Sequence, residues 1–578
     1  EMQRSLVGSE MCIRDRVHMI RVFSTHNIRE CKELTGRIWN LRLFNGTDDG
    51  KNYSVFTPCC WESIPDLAAY RGKGEFSTSF YAGGNIRLEF KGVSHTATVY
   101  VDDCEVVTHY NAYTGFDVIL KGLDEGIHTL TVVADNSFSK QSALHIPNDY
   151  KSYGGVTRPV VLEKLNDLYI RQMHVRTEND GTGRWMAHVE IKVQNLSDRK
   201  QAAELFISID KDKEKIVGCE NEISIEAGQE ITIVRDLSCH GVSEWTQSSP
   251  ELYMINAELY VNGKAEDDLT DRFGFREIVV EGSKILLNGK PVRIKGVCRH
   301  EDHPQYGCAL PCEAMAYDLT LIKDLGANSV RTTHYPNDER FLDMCDEMGI
   351  LVWEENHARG LNEESMMNPF FEPQAEQVIT EMIESHYNHP CIYIWGILNE
   401  CASETEYGRK CYAAQFELIR KMDTTRPCSF ASCRIKNDIC LDLPDVVSFN
   451  IYPQWYLDIP VKEYLDDLYE WIQDDTPGTG KPFLITETGA GGLYGYRNPE
   501  HSKWTEEYQA YALEKQLTSI LANSGCMGVY IWQFCDNRVS EECFAGRPRT
   551  MNNKGIVDEF RRHKLSYDVV KRIYQSDI

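Results

Sequence analysis

Two apolar stretches of the chain end in carboxyl groups. IYIWGIL (392–398) runs into Asn399 and Glu400, and FLIT (483–486) runs into Glu487. A carboxylate at the end of a strand either caps the following helix or does chemistry, and one such glutamate alone reads equally well both ways. Two of them, one directly preceded by asparagine, form the minimal apparatus of glycoside hydrolysis, with one carboxyl as acid/base and the other as nucleophile. A retaining mechanism wants the pair roughly 5 to 5.5 Å apart, one protonated and one ionised. Partial burial and the neighbouring negative charge are therefore expected to raise the pKa of Glu400, and hydrogen-bond donors to keep Glu487 ionised.

Such a pair has to be delivered by strands that face each other. From about residue 276, apolar strands alternate with amphipathic helical stretches, and eight strand candidates follow at 292–300, 329–335, 350–355, 392–400, 427–432, 446–452, 482–487 and 528–534. That pattern predicts a C-terminal (β/α)8 TIM barrel over 276–578, with its active groups at the carboxyl ends of the strands. Segments such as 338–349 and 503–525 carry apolar residues at steps of three and four, as helices covering a barrel should. Ahead of the barrel the chain reads as short alternating strands between turn signals, and a break near Glu163–Asn166 divides it into β-sandwiches at 19–164 and 165–275. Residues 1–18 read as a leader foreign to the fold, ahead of a start at Met19.

A chain of 578 residues has room for about three or four domains, and its 42% apolar content can fill their cores. The net charge of -27 repels phosphate backbones and anionic lipids, which argues against nucleic-acid and membrane partners. No run reaches the roughly 18 apolar residues of a spanning helix, and nothing at the start marks export. The 20 cysteines are scattered without a CxxC pair and read as reduced, buried thiols. A cytoplasmic protein is expected.

Longer strings carry a family resemblance. NSVRTTHYPNDERFLDMCDEMGILVWEE (328–355), NHPCIYIWGILNE (388–400) and PFLITETGAGG (482–492) resemble glycoside hydrolase family 2, bacterial gut-type β-glucuronidases among them, and the likeness extends from about Met19 over nearly the whole chain. The resemblance implies an N-terminal jelly-roll β-sandwich, an immunoglobulin-like β-sandwich and a catalytic barrel. It also implies Glu400 as general acid/base, Asn399 as partner of the sugar 2-hydroxyl, and Glu487 as nucleophile of a retaining exo-glycosidase. Tyr452 resembles the tyrosine beside the nucleophile and Trp532 the tryptophan flooring the sugar subsite, where the alternative is plain packing at the barrel rim or core. A homodimer or homotetramer is implied as well. Some relatives bind a flavin away from the active site, but no motif here points to one, and no cofactor is required.

The stretch RPRTMNNKGIVD (547–558) addresses the substrate. A uronic acid carries a full negative charge, so its pocket needs a cation and donors on that side. In β-glucuronidases of the family an Asn-x-Lys element grips that carboxylate, and Asn552 and Lys554 match it, whereas an isolated Asn-Asn-Lys-Gly would read as a turn. Asp149 in PNDYKSYGG (147–155) resembles the jelly-roll aspartate that reaches the sugar. The expected activity is hydrolysis of β-D-glucuronides, small molecules or oligosaccharides. Arg359, in a loop where the family has small apolar residues, carries the alternative of a β-D-galacturonidase or dual uronidase. A β-galactosidase and a non-catalytic carbohydrate-binding protein stand behind it. His300, with Asp302 and His303 in HEDHPQYGCALP (300–311), has the residue types of a metal site, but the resemblance implies a pocket wall, and no metal is expected.

Overall fold

The computed structural model describes residues 20–44, 51–544 and 546–576. The expected leader, 1–18, and Met19 lie outside the described residues. The first unit is an antiparallel β-sandwich built on two long paired strands, Lys73–Phe90 and Phe116–Asp135. The register of this pair shifts between Ala82 and Ile86, where Gly84 adopts φ 78°, a left-handed conformation that glycine enters at no steric cost. Inward-facing Leu41, Phe76, Leu88, Phe90, Val99 and Val132 fill its core.

The second unit packs a three-stranded sheet, Leu168–Asn179, Trp185–Asn195 and Glu230–Cys239, on a four-stranded one, Gln201–Lys211, Glu214–Ile225, Tyr253–Val261 and Lys264–Phe273. Three on four is the immunoglobulin-like arrangement, and the strict alternation of buried and part-exposed residues in Trp185–Asn195 shows why the sequence pattern was readable. The sequence division at 19–164 puts residues 20–29 in the first sandwich. Instead they strap all three units together, Arg29 reaching Glu163 of that sandwich at 2.8 Å. Arg21 holds Asp343 of the barrel at 2.7 and 2.9 Å, and three consecutive backbone N–H groups of Asn27, Ile28 and Arg29 donate to the carboxylate of Asp268. Polar anchoring of this kind leaves no periodic trace in the sequence.

The third unit is a closed ring of eight parallel strands: Ile294–Arg299, Ser329–Thr332, Leu351–Glu355, Ile392–Asn399, Cys428–Ala431, Val447–Asn450, Phe483–Thr488 and Cys526–Ile531. Bridges from Ser429 to Val446 and from Ser432 to Phe449 close the ring between the fifth and sixth. Helices follow the other strands, among them Glu339–Met348, capped by Asp338 and ended by Gly349 at φ 65°, and Glu506–Ala522, capped by Thr505. Among the described residues no helix follows the fifth strand. The segment 432–446 is instead pinned by Asp438, whose carboxylate accepts from Ser403 and Ser432 at 2.6 and 2.5 Å. No helix among the described residues is long and apolar enough to cross a membrane.

Candidate active site

The carboxyl ends of the strands bring the two glutamates into one network. Glu487, 3% exposed, accepts from Arg331 Nη1 at 3.0 Å and from the Tyr452 hydroxyl at 2.7 Å. Arg331, buried on the second barrel strand, also grips Glu355 through two bonds of 2.9 and 3.0 Å and donates to Asn399 Oδ1 at 2.9 Å. Asn450, ending the sixth strand, donates from Nδ2 to Asn399 Oδ1 at 3.1 Å and to Glu400 Oε1 at 3.0 Å. A continuous chain thus runs from Glu487 through Arg331, Asn399 and Asn450 to Glu400. Asn399 Nδ2 is buried with no partner and is free to donate to a ligand. Glu400 sits at φ 55°, a left-handed conformation that costs a side chain of its length and marks a backbone held by its surroundings.

The electrostatics depart from the expectation for Glu487. Burial and then repulsion from Glu400 push its carboxyl up to about 8, against the opposing pull of Arg331, Tyr452 and Arg359. The donors are there, but Arg331 divides its charge between Glu487 and Glu355, so desolvation wins. The free pocket therefore keeps one proton within its glutamate pair up to mildly alkaline pH. His334 Nδ1 lies 2.7 Å from Glu355 Oε1, and its Nε2 stands 3.8 Å from Glu487. Burial drives His334 far below the usual histidine range, so it is neutral beside the pair, stacked on Trp532 at 5.0 Å.

A second wall, adjoining Tyr452, is cationic. Lys554, 6% exposed, donates to Tyr456 Oη at 2.8 Å and lies 5.4, 5.9 and 5.0 Å from the rings of Tyr452, Trp455 and Tyr456. Such a cage holds the ammonium in place without neutralising it. Asn552 donates to Asp149 Oδ2 at 3.3 Å and leaves its own buried Oδ1 unpartnered. Arg359 bridges the two walls, 3.3 Å from Glu400 Oε2 and 3.4 Å from Asp149 Oδ2. Burial alone would raise the Asp149 carboxyl, but Arg359 and Arg547 outweigh it and hold it at about 2.

All ten residues singled out in the sequence fall in or beside this cluster. His300 bonds the Tyr335 hydroxyl at 3.2 Å and meets the edge of Trp532, which makes it part of the wall. Asp302 accepts from Tyr153 at 2.8 Å and His303 stacks on Tyr306, so these do not converge with His300 as ligands. Groups with metal-ligating spacing among the described residues are His26, Cys31 and Glu163, and Asp346, His389 and Cys391, and neither includes a residue of the strand-end cluster. Sequence reasoning missed Arg331, His334, Asn450 and Tyr456. Asn450 could have been found by the strand-end rule that found Glu400, whereas Arg331, in the mixed run SVRTT (329–333), gives no such signal.

Comparison with known proteins identifies the family of this fold. Residues 278–576 match the model for the TIM barrel domain of glycosyl hydrolases family 2, and residues 168–276 match a second model of the same family. The chain belongs to glycosyl hydrolase family 2. A crystal structure of a family 2 β-galacturonidase from Eisenbergiella tayi, bound to galacturonate, is 57% identical and covers 96% of this chain and 99% of its own, with a TM-score of 0.94. A β-glucuronidase of Streptococcus agalactiae is 28% identical over 93% of this chain and 94% of its own. A β-galactosidase of Thermoanaerobacterium thermosulfurigenes is 27% identical over 85% of this chain and 67% of its own. This family 2 protein is a glycoside hydrolase, and its fold is that of the family, two β-sandwiches ahead of a TIM barrel.

Proposed function

We propose that this hydrolase is a retaining exo-acting β-uronidase that cleaves β-D-glucuronides. The carrying observation is the buried ammonium of Lys554, caged by aromatic rings that include Tyr452, the same residue whose hydroxyl bonds Glu487. An acidic protein of net charge -27 repels uronates at long range, so recognition has to come from such local cations. In the first step Glu487 attacks the anomeric carbon while Glu400 gives its proton to the leaving oxygen, and a glycosyl ester forms on Glu487. In the second, Glu400 takes a proton from water, which attacks the same carbon and frees Glu487. Tyr452 and Arg331 stabilise Glu487 as a leaving carboxylate, and Asn399 offers its free amide N–H to the 2-hydroxyl. Likeness to β-glucuronidases supports this reading, and free, mostly buried cysteines fit work in the cytoplasm.

A second reading, a β-D-galacturonidase or dual uronidase, is favoured by Arg359 and by the 57% likeness to a galacturonate-bound β-galacturonidase. On this reading Arg359 and Asp149 supply a donor and an acceptor for the 4-hydroxyl, the position at which the two epimers differ. The test is hydrolysis of the p-nitrophenyl β-D-glucuronide, β-D-galacturonide and β-D-galactoside at equal enzyme concentration. A dominant uronide is expected, and the ratio between the two uronides names the preference. A dominant galactoside would reduce Asn552 and Lys554 to an ordinary turn and overturn the uronidase.

A further inference from the structure

The turn that carries Asn552 and Lys554 stands well beyond the last barrel strand, yet it is buried and its backbone is held from beneath at every step. Gln509, on the helix Glu506–Ala522 and fully buried, donates from Nε2 to the carbonyls of Ala490, Lys554 and Gly555 at 3.0, 3.4 and 2.9 Å. Its Oε1 accepts from Ser566 Oγ at 2.9 Å, which fixes which end of the amide faces the turn. Lys564, 1% exposed, donates to the carbonyls of Gly492 and Asn553 at 2.7 and 3.4 Å and pairs with Asp536 Oδ1 at 2.7 Å. The same Asp536 oxygen accepts from the Gly555 N–H at 2.9 Å, and Gly492 N–H donates to Asn553 at 2.9 Å. Carbonyls 553, 554 and 555 are thus all claimed by side chains that touch nothing in the sugar pocket.

Close packing leaves this fastening no slack. A Cβ built on Gly492 would stand 2.7 Å from Gln509 Oε1, and one on Gly555 would stand 2.2 Å from the Asp536 nitrogen. A buried lysine and aspartate of this kind are as a rule no more stabilising than apolar residues of the same volume, so their value lies in where they put the backbone. We propose that Gln509, oriented by Ser566, and Lys564, paired with Asp536, are positioning residues for uronate selectivity. They set the height of Lys554 and Asn552 against the glutamate pair and act on carboxylate recognition while leaving the chemistry of Glu487 to its own strand. The proposal rests on the reading of Lys554 as the uronate cation.

The test compares covalent labelling of Glu487 by two cyclophellitol aziridines, one carrying a 6-carboxylate and one neutral, in the full-length protein. Selectivity is the ratio of their second-order rate constants. Gln509→Met keeps the length and removes the donor, and a displacement of the turn by a fraction of an ångström should lower the ratio about tenfold. Gln509→Glu keeps the shape but cannot donate and should fail alike. Ser566→Ala removes one hydroxyl, leaves the fold intact, and should lower the ratio about threefold; it decides the matter alone if the Gln509 variants do not fold. A ratio unchanged in folded Gln509→Met, or in Ser566→Ala alone, overturns the proposal. Lys554→Met in the same assay separates the two claims, since an unchanged ratio there removes the uronate reading itself, whereas a collapsed ratio there with unchanged Gln509 and Ser566 variants removes only the positioning role.

Discussion

The wall that carries Glu400 and Glu487 comes straight off barrel strands, whereas the wall that carries Asn552 and Lys554 is a turn of the long segment after the last strand. On the first wall the side chains brace one another: Arg331, Asn399 and Asn450 link the two glutamates without help from any loop. On the second the side chains are few and the backbone is braced instead, by Gln509, Lys564 and Asp536 from the helices and loop behind it. The difference fits what each wall has to do. Bond making tolerates little error and belongs on a rigid frame, while substrate choice can vary with loops on the same frame.

The largest effect should come from breaking the strand wall. Glu487→Ala removes the nucleophile and should cut turnover by about four to six orders of magnitude, measured with an activated aryl uronide. Retained turnover would contradict the mechanism. On the loop wall, Lys554→Met should cost uronides about 3 to 5 kcal/mol in kcat/KM, the penalty of leaving the sugar carboxylate desolvated and alone. An equal loss on a neutral glycoside would remove its role in selectivity.

Arg359 joins the walls, so Arg359→Ala should blur the distinction between them. A drop in kcat/KM of about one to two orders of magnitude, with a changed ratio of glucuronide to galacturonide hydrolysis, is expected from the loss of its contacts to Asp149 and Glu400. An unchanged ratio would break its link to the 4-hydroxyl. The smallest effect is one of pH. Glu487 is raised to about 8 by burial and by Glu400, so kcat/KM should fall as pH rises through about 8 and the last proton leaves the pair. With Glu400→Gln the repulsion disappears and Glu487 ionises at lower pH. Turnover of a dinitrophenyl uronide, whose leaving group needs no acid, should then lose its fall near pH 8 and persist into alkali, and a limb that stays at about 8 would contradict the assigned cause.

Much of this was legible in the sequence because strands announce themselves. Asn399, Glu400, Glu487, Tyr452 and Trp532 all follow or end apolar runs, and every expected barrel strand is present. Other features leave no such trace. Arg331 sits within a strand, and its role exists only because three other strands point at it. The strap at 20–29 is held by scattered carboxylates, Asp268 and Asp343 among them, and the helix-free segment after the fifth strand by Asp438, and no periodicity records such polar anchors. The raised pKa of Glu487 was beyond reach for a different reason. Its donors could be anticipated by kind, but not the burial that outweighs them or the division of Arg331 between two carboxylates.

The most direct test of the account is to trap the covalent intermediate. A 2-deoxy-2-fluoro β-uronosyl fluoride, which forms the glycosyl ester and releases it slowly, should add one sugar to the peptide that carries Glu487, and the adduct should fail to form in Glu487→Ala. An adduct on another carboxylate, or turnover with inversion and no adduct at all, would contradict the roles assigned to the two glutamates.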